Sequence, residues 1–461
     1  MNRIRRAVWM ATFIFLGFSL ILSTSRAADE ASVASVPSWP QWRGPSEQGY
    51  SDDKHVPLQW NSEHNLLWKV KLPGEGNSSP IVWGDRIFLT ASSHGGKERY
   101  VLCMQSTNGK ILWQHLAAKE DDPGKTHGWN GYASASCATD GKFVYAFFGT
   151  PGLFCYDFEG RLIWKHAFGV LTSEAGWGAA ASPFLYEDLV IQNCDNDGSA
   201  GLPAGRSPQE AAPMSLVALD KTTGKVRWET PRNQGRGFST PILIRSPQGR
   251  QELILNGPHG VWAYDPRTGA QLWHCQRHKG DDSALFGEPI PAFSGSTLFA
   301  LSGRPGPMQA IRVGGSGDVT SSHLAWEVVR KGSRDVASPI LWKDVVYVAD
   351  RYGMIAGYEI NTGKQLFKER ASTKPFVGSP IAVRGKILFL LEDGTTFVLE
   401  PGHRLDIVRR NQLDDGSEFR ASPAVVDGRL YLRSQSHLYC IGEKNERAAD
   451  APGARSQATP R

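Results

Sequence analysis

The 461-residue sequence predicts an all-β fold: an eight-bladed β-propeller of four-stranded antiparallel blades, closed by an N-terminal strand. Three observations carry that expectation. A unit best seen at residues 216–228, LVALDKTTGKVRW, recurs at a spacing of roughly 40 to 50 residues, the signature of a blade repeat. A second unit, a Ser-Pro or related pair opening an apolar strand, recurs between the copies and sets their phase. The last copy lacks an outer strand, and residues 65–70 (NLLWKV) supply an unused one.

In the first unit an apolar strand runs to Asp220, Thr223-Gly224 turns the chain, and a short strand ends on Trp228. Trp113, Trp164, Trp273, Trp326 and Phe367 end its weaker copies, and the region of Ile407 and Val408 closes the seventh without an aromatic. The second unit opens at Ser79, Ser182, Ser338, Ser379 and Ser422, with degraded copies at Ser136-Cys137, Thr240-Pro241 and Ile290-Pro291, making eight. Trp68 then has the closing position of the eighth blade, and joining the two ends removes the open sheet edges of a linear array.

The propeller is expected to occupy residues 60–442, after a signal peptide (1–27) and a lead-in (28–59) without strand pattern, and before a disordered tail (443–461) nearly free of large apolar residues. Arg3, Arg5 and Arg6 precede an apolar run, and Ser25 and Ala27 give a cleavage site, so the chain reads as exported to the periplasm or cell envelope. An uncleaved anchor is the alternative. No membrane span is expected after cleavage. The formal charge is +5, of which residues 1–27 hold four Arg and no acid, leaving +1 and little support for a nucleic-acid partner. A monomer is expected.

Cysteine usage follows the repeat. Two residues before the Asp position lie Cys103, Cys155, Ala218, Ala263, Ala310, Gly357, Val398 and Cys440, nearly all small, so these cysteines read as free packing residues. There is no CxxC, no GxSxG elbow and no Gly-rich phosphate loop, which counts against haem attachment, serine-hydrolase and nucleotide chemistry.

In a four-stranded blade the A-to-B and C-to-D turns share one face, which reads as uniformly short here. The B-to-C and D-to-A connections share the other, and long segments fall there, at residues 118–132, 195–214, 276–287 and 302–308. Trp39 and Trp42 of the lead-in are expected to pack across the ring's seam. Ser79, Ser134, Ser182, Thr240, Ser338, Ser379 and Ser422 read as hydroxyls around a water-filled channel.

ALDKTTGKVRW and AYDPRTGAQLW resemble the tryptophan-docking repeat of the pyrroloquinoline-quinone (PQQ) family of eight-bladed propellers, over roughly residues 60–442. WPQWRGP near the start, residues 126–149 and LYEDLVIQNCD are similar to exported PQQ-like proteins of planctomycete bacteria. The resemblance implies one of two activities. One branch comprises dehydrogenases that oxidise alcohols or sugars with PQQ and calcium, the cofactors it would imply here. The other comprises non-catalytic propellers such as the scaffold of outer-membrane barrel assembly. The adjacent cysteines typical of the alcohol dehydrogenases are absent.

The expected function is therefore a binding or scaffold module of the cell envelope, with a PQQ- and calcium-dependent dehydrogenase as the alternative. Its partner would be a protein or a small ligand in the funnel of the long-loop face. His127, Trp129, Asn130 and Tyr132 are the candidate ligand cluster, with Arg304, Arg351 and Glu392, beside Asp350, Tyr352 and Asp393, as a charged rim on B-to-C turns. Asp195 and Asp197, flanking Asn196, form an oxygen-rich run as the candidate calcium site.

Overall fold

The computed structural model describes residues 36–443 apart from 173–176, 197–201, 203–206, 236, 278–286, 304–305 and 331–336. The proposed signal peptide and nearly all of the proposed tail fall outside the described residues. Eight antiparallel four-stranded sheets form the eight blades, three of them extended by a two-residue strand. Blade 1 comprises, from the axis outward, Ile81–Trp83, Arg86–Ser93, Glu98–Gln105 and Ile111–Lys119. Blades 2 to 7 follow at residues 138–166, 184–231, 242–276, 292–329, 340–370 and 381–412. Blade 8 takes Ala424–Val426, Arg429–Arg433 and His437–Ile441, and its outer strand is Leu66–Lys71, with Trp68 opposite Cys440. The ring therefore closes where the spare strand predicted it. Middle strands such as Leu189–Asn193 are buried at every residue because neighbouring blades cover both faces, whereas the outer Val226–Pro231 is largely exposed or half-buried.

Each closing residue faces the small position of its own blade: Trp113 opposite Cys103, Trp164 opposite Cys155, Trp228 opposite Ala218, Trp273 opposite Ala263, Trp326 opposite Ala310 and Phe367 opposite Gly357. At Gly357 a methyl group would stand 2.4 Å from the Phe367 ring, which explains why the position stays small. The same indoles reach the next blade. Trp68, Trp113, Trp164 and Trp326 donate Nε1–H to the carbonyls of Ser106, Phe158, Lys221 and Ile360, at 2.9 to 3.2 Å. Their rings, and that of Trp228, lie on Gly109, Gly160, Gly224, Gly363 and Gly269 of the next blade's turn. Those glycines have φ between +68° and +87°, and a Cβ on any of them would come within 2.9 Å of the indole. Backbone conformation and close approach both demand glycine there.

Blade 5 departs from the pattern. Its C-to-D connection, residues 313–323, replaces the short turn, so that face is not uniformly short. Gly317–Asp318 pairs in parallel with the outer strand of blade 4, Gln271–Gln276, and covers its edge. Without a glycine turn to dock on, Trp273 donates instead to Glu252 of its own blade at 2.7 Å.

Hydroxyls at the start of the innermost strands tie blade to blade. Ser79 N donates to Ser136 Oγ, Ser136 N to Ser182 Oγ and Ser182 N to Thr240 Oγ1. Ile290 N donates to Ser338 Oγ, Ser338 N to Ser379 Oγ, Ser379 N to Ser422 Oγ and Ser422 N to Ser79 Oγ. Only the junction at Ile290, which has no hydroxyl, lacks the bond. One expectation changes. The hydroxyl of blade 2 belongs to Ser136, while Ser134 Oγ donates to Asn130 O two residues nearer the surface. The hydroxyls also serve as inter-blade acceptors, each worth about 1 kcal/mol net, and those of Ser79, Ser182, Thr240, Ser379 and Ser422 belong to residues that line the axial channel.

The lead-in fills that channel. Ser38–Trp39 pairs antiparallel with the innermost strand of blade 1, and Tyr50–Ser51 pairs in parallel with that of blade 7. Arg43, buried, donates to Gln48 O and Pro339 O; Gln48 exchanges hydrogen bonds with Pro291 O and Phe293 N; Glu47 accepts from Leu243 N at 2.7 Å. Trp39 is buried in the core between blades 1, 7 and 8, and Trp42 reaches the hydroxyl ring, donating to Ser422 Oγ at 3.2 Å. Trp39 thus packs across the seam between blades 8 and 1, as expected, while Trp42 reaches the axis. The lead-in also carries two short strands that its sequence pattern does not show.

All six cysteines are buried and free. Burial pushes the Cys103 and Cys440 thiols up to about 12. Iodoacetamide under native conditions should therefore leave all six unmodified, and under denaturing, non-reducing conditions should modify all six. Burial also raises the Glu47 carboxyl from 4.5 to about 8, against the opposing bonds from Leu243 and Gln41. Such a group binds its proton more tightly folded than unfolded, so its contribution is complete below pH 4.5 and is lost as pH rises through about 8. The melting temperature should fall between pH 6 and pH 9 in the native chain and fall less in Glu47→Gln; equal falls would refute the role of Glu47.

Candidate functional site

The central funnel opens on the face of the D-to-A connections, above the hydroxyl ring, and encloses about 190 Å³ with Trp42 at its floor. Strand alternation decides its wall. Residues two before seven of the eight ring positions, Asn77, Ser134, Ala180, Phe238, Glu288, Val377 and Arg420, line it, joined by Trp129, Asn130 and Trp177.

Trp129 is the centre of the rim. The Arg351 guanidinium lies 3.9 Å from its ring centroid and that of Arg420 lies 5.9 Å away. Arg420, nearly buried, donates Nε–H to Glu392 Oε1 at 2.6 Å and Nη1–H to Gly128 O at 2.5 Å. The structure therefore brings Trp129, Arg351 and Glu392 together from blades far apart in sequence, through an arginine the sequence reading missed. Its signal was the repeat register: Arg420 precedes Ser422 by two. Asp350 and Asp393 instead accept backbone N–H groups within their own turns. Arg304 lies outside the described residues.

His127 stacks on Trp177 at 4.0 Å, and Asn130 donates Nδ2–H to Trp177 O. Tyr132 turns away from the funnel. Its hydroxyl donates to Gly124 O at 2.6 Å, Arg99 lies 4.6 Å over its ring, and burial raises its phenol above the usual range. His127, Asn130 and Tyr132 border a second cavity of about 410 Å³ with Gly95, Gly96 and Gly128. Asn77 and Asn130 line both cavities. The opposite face has a cleft of its own, about 640 Å³, where Tyr50 and Asp52 of the lead-in meet Trp342 and Arg384.

Asp195 is committed elsewhere. Both its oxygens accept from Arg232, at 2.8 and 3.0 Å, and both side chains are buried. Desolvation raises its carboxyl above the ordinary range against the pull of Arg232. Asn196 donates to Cys194 O and Ala212 O, and Asp197 lies outside the described residues.

A family model described as outer membrane protein assembly factor BamB matches residues 198–325. Similar proteins include a tetrathionate hydrolase of Acidithiobacillus ferrooxidans, 21% identical over 89% of this chain and 74% of its own length. Another is the outer membrane protein assembly factor BamB of Burkholderia pseudomallei, 19% identical over 71% of this chain and 85% of its own. Among solved structures, a europium-containing methanol dehydrogenase superposes with a TM-score of 0.62 at 12% identity, over 88% of this chain and 98% of that one. The protein is a PQQ-like eight-bladed propeller.

For a PQQ-like propeller the question is whether the funnel suits a quinone held by calcium. Calcium takes about six to eight oxygen ligands, carboxylates prominent among them. Among the described residues no three of His, Cys, Asp and Glu converge anywhere. Glu288 is the one carboxylate on the funnel wall, and Glu392 is paired with Arg420. The described residues of this PQQ-like propeller do not supply that shell.

The Arg420–Glu392 pair is mostly shielded from water, so Arg420→Ala should leave Glu392 and the Gly128 carbonyl unmatched and cost about 2 kcal/mol. Urea unfolding measures this, and a loss below about 0.5 kcal/mol would show the pair to behave as an exposed one.

Proposed function

We propose that the protein is a non-catalytic binding or scaffold module of the cell envelope, exported by the signal peptide of residues 1–27, and that it engages its partner through the long-loop face. The observation that carries this reading is the chemistry of the funnel: aromatic and amide walls, with Arg420 of the rim already neutralised by Glu392 and no carboxylate cluster among the described residues. The likeness to barrel-assembly factors in sequence and fold supports it, and the likeness to quinoprotein dehydrogenases, also in both sequence and fold, leaves PQQ-dependent oxidation as the second reading.

A ligand at 100 times its dissociation constant stabilises a fold by about 2.7 kcal/mol, so melting with PQQ and calcium separates the two readings. No shift is expected, and a rise of several degrees with both together would establish the dehydrogenase reading. The face is tested separately, with a photo-reactive residue at Arg351 or, on the opposite face, at Thr223. Adducts on intact cells are expected from position 351 alone, and adducts from 223 alone would move the partner to the other face.

A further inference from the structure

We propose that the two cavities of the long-loop face form one cleft for a linear, uncharged oligosaccharide. This rests on the reading that the long-loop face is the binding face, and adds the class of ligand.

Shape is the first ground. The funnel and the outer cavity share Asn77 and Asn130 as walls, so the two adjoin, one reaching Trp42 on the axis and the other Tyr132. A compact ligand fills one part, and a chain of sugar rings fills both. Gly95 and Gly128 border the outer part, and a Cβ on either would meet nothing within 4 Å, so the groove is open at these points.

Chemistry is the second ground. Sugar rings combine an apolar C–H face with a perimeter of hydroxyls, and are recognised by flat aromatic surfaces flanked by groups that both donate and accept. Trp129 and Trp177 supply the surfaces, and Asn77, Asn130 and Gln435 the amides. Asn77 donates Nδ2–H to the carbonyl of Asn130, and its Oδ1 is buried with no hydrogen-bond partner.

Charge and backbone exclude the main competitors. Glu75 and Glu288 stand against Arg351 and Arg420, the latter paired with Glu392, so the charges balance and do not favour a phosphate or polyanion. An extended peptide needs a free strand edge, but the backbone here is already paired. Glu75 and Ser92 exchange both bonds, and the amides of Asn77 and Ser78 donate to Ala133 O.

Titration calorimetry on the chain lacking residues 1–27 tests the proposal. The probes are hexamers of β-1,4-glucose, β-1,4-N-acetylglucosamine and α-1,4-glucose, their monomers, and hexagalacturonate as the charged control. At least one neutral hexamer should bind ten-fold or more tightly than its monomer and than hexagalacturonate. Asn77→Ala should weaken it ten-fold. Gly128→Phe, filling the outer cavity, should remove the advantage of length without lowering the melting temperature. Failure of every neutral hexamer at millimolar concentration, equal binding of monomer and hexamer, or a Gly128→Phe variant that binds as before would each overturn it. If the hexamers fail while adducts still form at position 351, the ligand class falls and the binding face stands.

Discussion

An indole lying on a glycine is the contact this ring depends on. Eight sheets stacked around an axis are tied to one another only by connecting segments, the last to the first through the strand Leu66–Lys71, so each seam must be specified by side chains. The closing tryptophan does this twice, packing against a small residue of its own blade and against a turn glycine of the next. The indole N–H adds direction, because its acceptor carbonyl sits at one place in the neighbouring turn. Area alone would let two blades slide, and a hydrogen bond at the rim fixes their register.

The hydroxyl ring repeats this logic at the axis, where innermost strands are too short to pack well. Both devices fail at the same place in the circle. Blade 5 has neither the turn glycine nor the ring hydroxyl, and it compensates by sending residues 313–323 over the edge of blade 4. A strand added in parallel, anchored by Thr320 Oγ1 on Gln276 N at 2.9 Å, replaces a docked tryptophan.

The fold was legible because the repeat writes local signals: alternating apolar residues, a glycine turn and an aromatic stop lie within thirteen residues. The closing strand was legible for the same reason, since Trp68 had the aromatic stop without a blade. Contacts between segments remote in sequence were not legible. Arg420 meets Gly128 across 292 residues and Trp42 meets Ser422 across 380. Neither pair leaves a local pattern. The Ser134 assignment missed by two residues, one full period of a strand, which moved it from the hydroxyl ring to the funnel wall. That same two-residue step, applied to each blade, would have found Glu288 and Arg420. Asp195 misled because an oxygen-rich run looks alike whether it awaits a cation or is matched with an arginine 37 residues on.

The threaded lead-in has a consequence for how the molecule is made. Residues 37–60 have bonding partners in the innermost strands of blades 1 and 7 and in ring positions as late as Ser422. The earliest segment of the described chain therefore finds its site only after the last blade has been synthesised. Blades can form one at a time from local hairpins, but the axis stays unfilled until the circle is nearly complete. Assembly is thus cooperative at its end, and a chain stalled before blade 8 would present an open ring with two exposed tryptophans.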